Sequence, residues 1–287
     1  MKLIVTHISP DIDALTACWL IKKFLKGWDE AEIKFIPAGS ALNNKPPDDN
    51  PEIIHVDTGL GKFDHHQTDS FTSATQLVFD HLVKNKFIGS KVQEPLHRLV
   101  KLVTEFDHFQ EYFYPEPYAD RYTFLLHETI EGLKKVITDN QVLLDIVFKL
   151  LDGTLLNLKN KISAEEDIKT GYVFTSNLGN TLIMFSGNAE SGKLAMKMGY
   201  RLVITKDPDK GYIRLKCPPI KGLDLTSLYK KLLQYDPKAN WFLHSSKKMI
   251  LNGSATNPGM KPSSLTVPKL IEIVKSVSFD SPFFLLT

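Results

Sequence analysis

The sequence predicts an α/β protein: a parallel-sheet domain over residues 1–165 and a second, smaller α/β domain over residues 166–287. Three observations predict it. Short apolar runs alternate with longer helical stretches, the order that builds a parallel sheet covered by helices. The chain has 287 residues, long for a single core. A polar, charged stretch without clear periodicity, Lys159–Lys169, separates two such alternations.

The elements follow in order. Lys2–Val5 reads as a short buried strand. Asp13–Lys26 carries Leu15, Trp19, Leu20 and Phe24 at helical spacing, and Gly27 ends it. Ile33–Ile36 is a second strand. Asn43–Pro51 is a loop crowded with Pro, Asp and Asn. Ile53–Val56 is a third strand, and Ser73–Val83 and Val92–Phe106 are helices. Phe109–Tyr122 holds Tyr112, Phe113, Tyr114, Tyr118 and Tyr122, broken by Pro115 and Pro117. Such a run can stack nucleic-acid bases. More often it packs a long loop onto a core, and packing is the expectation here. Gln141–Leu158 is an apolar helix, or a helix pair broken at Gly153. Beyond the boundary come strands at Tyr172–Thr175, Thr181–Phe185, Arg201–Thr205 and Tyr212–Lys216. Helices are expected at Lys193–Met198, Thr226–Leu233 and Val267–Val277.

Bulk properties exclude several classes. Apolar content of 43% and charged content of 24% are ordinary globular values. A net charge of +2 leaves any phosphate-binding surface to a local patch. Cys18 and Cys217 are isolated and follow no ligand spacing, so a reducing compartment is expected. No apolar stretch reaches the roughly 20 residues that cross a bilayer, and no signal peptide is read at the start. A soluble cytoplasmic protein is the expectation.

The chemistry is concentrated early. Leu3-Ile4-Val5 leads to His7, Asp11 and Asp13. Ile53-Ile54 leads to Asp57, and Asp64-His65-His66 follows within ten residues. Each cluster of hard ligands leaves an apolar strand where open parallel sheets place their sites. Carboxylates and imidazoles without cysteine suit Mn²⁺ or Mg²⁺. One such Asp or His would read as a helix cap or a surface group; three clusters of the right residue type, each read as following an apolar run, point to a dinuclear hydrolytic site. Two cations about 3.5–4 Å apart suit in-line displacement at phosphorus.

His7-x-x-Pro10-Asp11-x-Asp13-Ala14, then Asp57, then Asp64-His65-His66, resembles the DHH phosphoesterase superfamily. That group includes RecJ-type nucleases, nano-RNases, exopolyphosphatases and manganese pyrophosphatases. The resemblance implies a parallel-sheet DHH domain joined to a smaller C-terminal substrate-binding domain, and two divalent cations, Mn²⁺ or Mg²⁺. It implies that His7, Asp11 and Asp57 hold one metal and that Asp13, Asp57 and His65 hold the second, with Asp57 bridging. The fourth acidic motif would fall on Asp107, with Glu105 and His108 as competing choices. His66 would face the phosphate and assist catalysis. Asp64 would orient His65 or His66, or simply cap the following turn. The short spacing from Asp57 to Asp64 is similar to MYG-type (melanocyte-proliferating-gene-like) DHH proteins, whose members are described as exonucleases acting on RNA.

The C-terminal half lacks the Gly-Gly-Gly-His signature of RecJ and nano-RNase relatives. Its nearest substrate-binding candidates are His244, Asn252, Gly253 and Ser254. Lys247 and Lys248 resemble a basic motif of the pyrophosphatases, and Arg201, Lys206, Lys216 and Lys261 add positive charge. Gly187–Lys193 matches the start of a P-loop, but Leu194 stands where a hydroxyl should reach Mg²⁺. A glycine turn entering a helix explains it better, and a P-loop nucleotidase is the lesser alternative.

The function expected is Mn²⁺-dependent hydrolysis of a phosphodiester in a short oligonucleotide or nucleotide. A pyrophosphatase or exopolyphosphatase is the runner-up. A non-catalytic nucleotide- or RNA-binding relative is disfavoured, because binding alone needs no complete ligand set. Expected partners are a phosphate-containing small molecule or short single-stranded nucleic acid and a second copy of the chain, with no membrane.

Overall fold

A computed structural model describes residues 1–253, 257 and 259–278. The chain divides into two compact units, Met1–Lys159 and Asn160–Thr287.

The first unit is built on three parallel strands, β1 (Leu3–His7), β2 (Glu32–Ile36) and β3 (Ile53–His55), in the order β2-β1-β3. Its helices are α1 (Ile12–Phe24), α2 (Ala74–Lys84), α3 (Ser90–Asp107), α4 (Leu126–Val136) and α5 (Asn140–Lys169), which runs past the unit boundary. Helix α1 is buried without interruption from Ile12 to Ile21. It packs in one core with Ile4, Ile54, Val78, Leu82, Leu99, Ile130, Leu144 and Leu151. A helix that is apolar on every side belongs inside, and Asp13 in its first turn is therefore conspicuous. The loop before β3 is clasped by His55, which accepts the Leu42 N–H through Nε2 (3.1 Å) and donates from Nδ1 to the Pro47 carbonyl (3.0 Å).

In the second unit β4 (Tyr172–Ser176), β5 (Gly179–Phe185), β6 (Leu202–Lys206), β7 (Ile213–Lys216), β8 (Phe242–Leu243) and β9 (Met249–Asn252) form one mixed sheet in the order β4-β5-β6-β7-β9-β8. Only β5 and β6 pair in parallel. Helices α6 (Ala189–Lys197), α7 (Thr226–Tyr235) and α8 (Val267–Ser276) belong to the same unit. No helix of the described residues is long and apolar enough to cross a membrane.

Two expectations need correction. The stretch from 140 to 169 is one helix of 30 residues, the single helix of the two alternatives, and it runs on through the polar stretch Lys159–Lys169 that reads as the domain boundary. Leu143, Leu144, Val147, Leu151 and Leu155 keep its apolar stripe on the first core, while Ala164 and Ile168 are buried farther along. Tertiary packing holds the glycine in the helix, and it meets nothing within 4 Å where a Cβ would stand. The aromatic run is not packed away: Phe109, Tyr112, Phe113 and Tyr118 are exposed, and its rings meet one another, Tyr112 with Phe113 (5.2 Å between ring centroids) and Tyr114 with Tyr122 (5.5 Å).

Gly153→Ala should therefore stabilise the protein, by about 0.5–1 kcal/mol. Chemical denaturation measures it. A loss of stability would mean that the chain bends at this position.

Candidate metal centre

Each cluster is placed by backbone that the local sequence dictates. β1 ends at His7, and the chain turns through Ser9, whose φ of 57° lies in the left-handed region. Lys134 on α4 donates to the Ser9 carbonyl (3.2 Å) and braces this turn. Asp11 then caps α1, its Oδ1 accepting the Ala14 N–H (3.0 Å). β3 leads through Val56 to Asp57, which is itself left-handed at φ 54°. That conformation suits Asp better than bulkier residues. The next turn is tight because Gly59 takes φ 82° and the Asp57 N–H closes on the Phe63 carbonyl (2.9 Å). Asp64 holds both sides of it. Its Oδ2 accepts the Leu60 N–H (2.7 Å), and its Oδ1 accepts His66 Nδ1–H (2.7 Å) and the His66 N–H (3.1 Å). One carboxylate thus caps the turn and orients a histidine.

Asp57 is the hub. His7 Nε2 lies 3.1 Å from its Oδ2, His65 Nε2 3.4 Å from its Oδ1, and His66 Nδ1 3.6 Å from the same Oδ1. His65 Nε2 is also 3.7 Å from Asp107 and 3.9 Å from Asp13. Asp13 is fully buried and accepts the Ala74 and Thr75 N–H groups (2.7 and 2.8 Å), so it caps α2 as well. Potential ligand atoms fall into three tight groups: His7, Asp11 and Asp57; Asp57, His65 and His66; His65, Asp107 and His108. Among the competing choices Asp107 and His108 both join the cluster. His108 Nε2, 3.8 Å from Asp107, also donates to the Thr72 carbonyl (2.9 Å), whereas Glu105 faces Lys101 along the helix (3.9 Å).

The electrostatics describe a site that calls for positive charge. Burial first, then Asp57 and the other carboxylates, pushes Asp13 up to about 7. Burial also raises Asp11 and Asp107. Burial works the same way on Asp57, but the imidazoles of His65 and His7 outweigh it and hold that carboxyl low. Asp57 in turn raises His7 and His65 to about 9. His7 faces two acceptors, Ile8 O from Nδ1 (3.0 Å) and Asp57 from Nε2, so both its nitrogens carry protons. The Ile8 carbonyl fixes Nδ1 as the donor and leaves Nε2 as the ligand atom. Asp57 Oδ1 and His65 Nε2 are buried, make no hydrogen bond, and face each other 3.4 Å apart as an ion pair. A cation bound there would take the place of the imidazole's proton as the carboxylate's partner. The hard N/O donor set fits divalent cations.

The sequence did not single out Lys134 or the amides of Ala74 and Thr75. A lysine on a distant helix and a pair of backbone N–H groups leave no motif.

The C-terminal candidates belong to the second unit. Lys248 donates to the carbonyls of Ile220 and Leu223. Asn252 is buried, donating to the carbonyls of Asn240 (2.8 Å) and Lys261 (2.9 Å) and accepting the Ser263 N–H (2.6 Å). Gly253 is required by space, since a Cβ there would stand 2.2 Å from the Tyr212 ring. These three brace loops. His244 bonds to Ser246 (2.8 Å), and Lys247 pairs with Asp224 (3.4 Å). Ser254 lies outside the described residues. Lys206 is held by the Leu265 carbonyl (2.8 Å). The P-loop-like stretch is a capped helix start: Asn188 accepts the Glu190 N–H (2.9 Å), and Lys193 lies beside Glu190 (3.6 Å).

A family model described as "ChrB, C-terminal domain" matches residues 4–157. The chain belongs to the ChrB C-terminal domain family. In this ChrB-type chain the matched segment contains every member of the cluster, from His7 to Asp107. No curated protein matches it. It is similar to a solved pGpG-specific phosphodiesterase from Vibrio cholerae, with 14% identity over 87% of this chain and 91% of that one and a TM-score of 0.28. It is also similar to the DHH domain of a member of a ribosomal-protein family, with 11% identity over 95% and 85% and a TM-score of 0.33. An exopolyphosphatase-related protein from Bacteroides fragilis shows 12% identity over 95% and 89% with a TM-score of 0.27. The functional reading of the ChrB-type chain rests on its side chains and not on these likenesses.

Because His7 and His65 keep their protons up to about 9 and Asp13 up to about 7 without metal, a cation must displace protons to bind. Mn²⁺ affinity should therefore rise from pH 6 to pH 9, with proton release at pH 7. Calorimetric titration in buffers of different ionisation enthalpy measures both. An affinity independent of pH would contradict this placement of the protons.

Proposed function

We propose that the chain is a metal-dependent phosphoesterase that hydrolyses a phosphodiester in a short oligonucleotide or nucleotide. The observation that carries the reading is the convergence of four carboxylates, those of Asp11, Asp13, Asp57 and Asp107, around His7 and His65. In this reading His7, Asp11 and Asp57 hold one divalent cation, and Asp13, Asp57, His65 and Asp107 hold a second, Mn²⁺ being the best-suited ion. Bound there, the ions would supply Lewis acidity at phosphorus and acidify water near neutral pH.

The protein's own groups do the rest. Ile8 O and the α2 amides fix His7 and Asp13, so the ligand set is held before substrate arrives. His66 is held through Nδ1 by Asp64, and its side chain is 61% exposed. Its Nε2 has no partner among the described residues, so in the imidazolium form His66 would donate its Nε2 proton to the departing oxygen. Substrate binding in the C-terminal unit, with His244 and Lys247 as its accessible candidates, belongs to the same proposal. A cytoplasmic setting is supported by two cysteines that are buried and unpaired.

Asp57→Asn removes the shared charge while keeping a side chain that tolerates the left-handed backbone. It should abolish Mn²⁺ uptake and hydrolysis with the fold intact by circular dichroism, and near-normal turnover would refute the role given to Asp57. His66→Ala should lower kcat about 10²–10⁴-fold while metal content stays near normal. Loss of metal would instead make His66 a ligand. A Mn²⁺ panel of oligoribonucleotides, oligodeoxynucleotides, cyclic dinucleotides, pyrophosphate and polyphosphate tests the substrate class. Turnover of the inorganic substrates alone would replace it with the pyrophosphatase reading.

A further inference from the structure

We propose that Phe71 and His108 form a stacking platform for a nucleobase whose phosphate lies at the metal centre. The location of the phosphate rests on the function proposed above; the platform itself is read from ring geometry.

Aromatic rings lead outward from the cluster in two steps. His65 and His108 meet edge to face with centroids 6.3 Å apart, and His108 is stacked on Phe71 at 4.4 Å and 27°. Phe71 is nonetheless 60% exposed. A phenyl ring standing in water beside a polar cluster is a liability in a free protein and an asset to a ligand with a π-face.

The platform is tied down by hydrogen bonds on both sides of Phe71. His108 donates to the carbonyl of Thr72, the residue next to Phe71. Thr72 N–H closes on the Ser70 carbonyl (2.8 Å), and the Thr68 and Ser70 hydroxyls bond to each other (2.9 Å). Thr68 N–H returns to the His65 carbonyl (3.1 Å), so the turn that presents Phe71 is tied directly to the centre. Preorganisation of this kind lowers the ordering cost of binding.

Beyond His108 the backbone holds a further ring outward. Phe109 takes φ 52°, a conformation that bulky residues avoid. Its side chain is 65% exposed, as are its neighbours Tyr112 and Phe113 at 62% and 74%. Stacking on aromatic faces is how single-stranded nucleic acid and free nucleotides are held without sequence selection. Inorganic pyrophosphate and polyphosphate have no ring to place there, so the platform selects for a base-bearing phosphodiester.

The test uses the full chain, loaded with Ca²⁺ to slow turnover, and a ribodinucleotide carrying 2-aminopurine, whose fluorescence falls when it stacks. Wild type should bind and quench it. Phe71→Ala and Phe71→Leu should weaken binding about tenfold, equivalent to ~1.4 kcal/mol, and lose the quench. Phe71→Trp should retain both. An abasic dinucleotide should bind wild type and Phe71→Ala alike. Unchanged quenching in both truncated variants, equal losses with the abasic ligand, or no quench by wild type would each overturn the platform. Quenching without Mn²⁺-dependent hydrolysis would leave the platform standing and remove the proposed activity. Hydrolysis by wild type with Phe71→Ala unaffected in binding would do the reverse.

Discussion

A single buried carboxylate organises the N-terminal unit. Asp57 leaves β3 in a left-handed turn and meets His7 from β1 and His65 from the loop beyond it. The end of β1 is held to a chain segment some fifty residues away by that contact. The parallel register places the ends of β1 and β3 side by side, with Val5 opposite His55. The turn after Asp57 is closed by Asp64, which sets His66 beside the same oxygen. Without a cation, protonated imidazoles carry the balancing charge; with one, those protons must leave.

The surrounding fold keeps this arrangement stiff. Asp13 lies inside a helix with no polar face and is tolerated there because its oxygens cap α2. The Thr75 hydroxyl also donates to the Asp13 carbonyl (2.9 Å), which welds the two helix starts together. Ser73 and Thr104 share a buried hydrogen bond (3.0 Å) that ties α2 to α3 near Asp107. Structural caps and candidate ligands are thus often the same atoms. For Asp11 the cap does not exclude a ligand, and Asp64 both caps its turn and orients His66.

Much of this was legible in the sequence, for physical reasons. β-branched and apolar runs marked β1, β2 and β3, and the hard ligands stood directly after two of them. What stayed illegible depends on contacts rather than pattern. Helix α4 shows few local signals, since only Ile130 in it is fully buried. The pair β8 and β9 is short, and its register comes from its neighbour β7. Gly153 looked like a break because propensity is local, whereas packing along both halves of α5 is not. In the C-terminal unit Lys248, Asn252 and Gly253 read as a polar substrate motif, yet each satisfies backbone or space inside the fold. The exposure of Phe71 and Phe109 had no signature, because an aromatic residue in a loop is as readily covered as presented.

Electron paramagnetic resonance of the Mn²⁺-loaded full chain asks most directly whether His7, Asp11, Asp13, Asp57, His65 and Asp107 converge on a shared pair of ions. The expected result is two Mn²⁺ per chain with the spectrum of an exchange-coupled pair, lost in Asp57→Asn. A single isolated Mn²⁺ signal, or binding unaffected by that substitution, would contradict it.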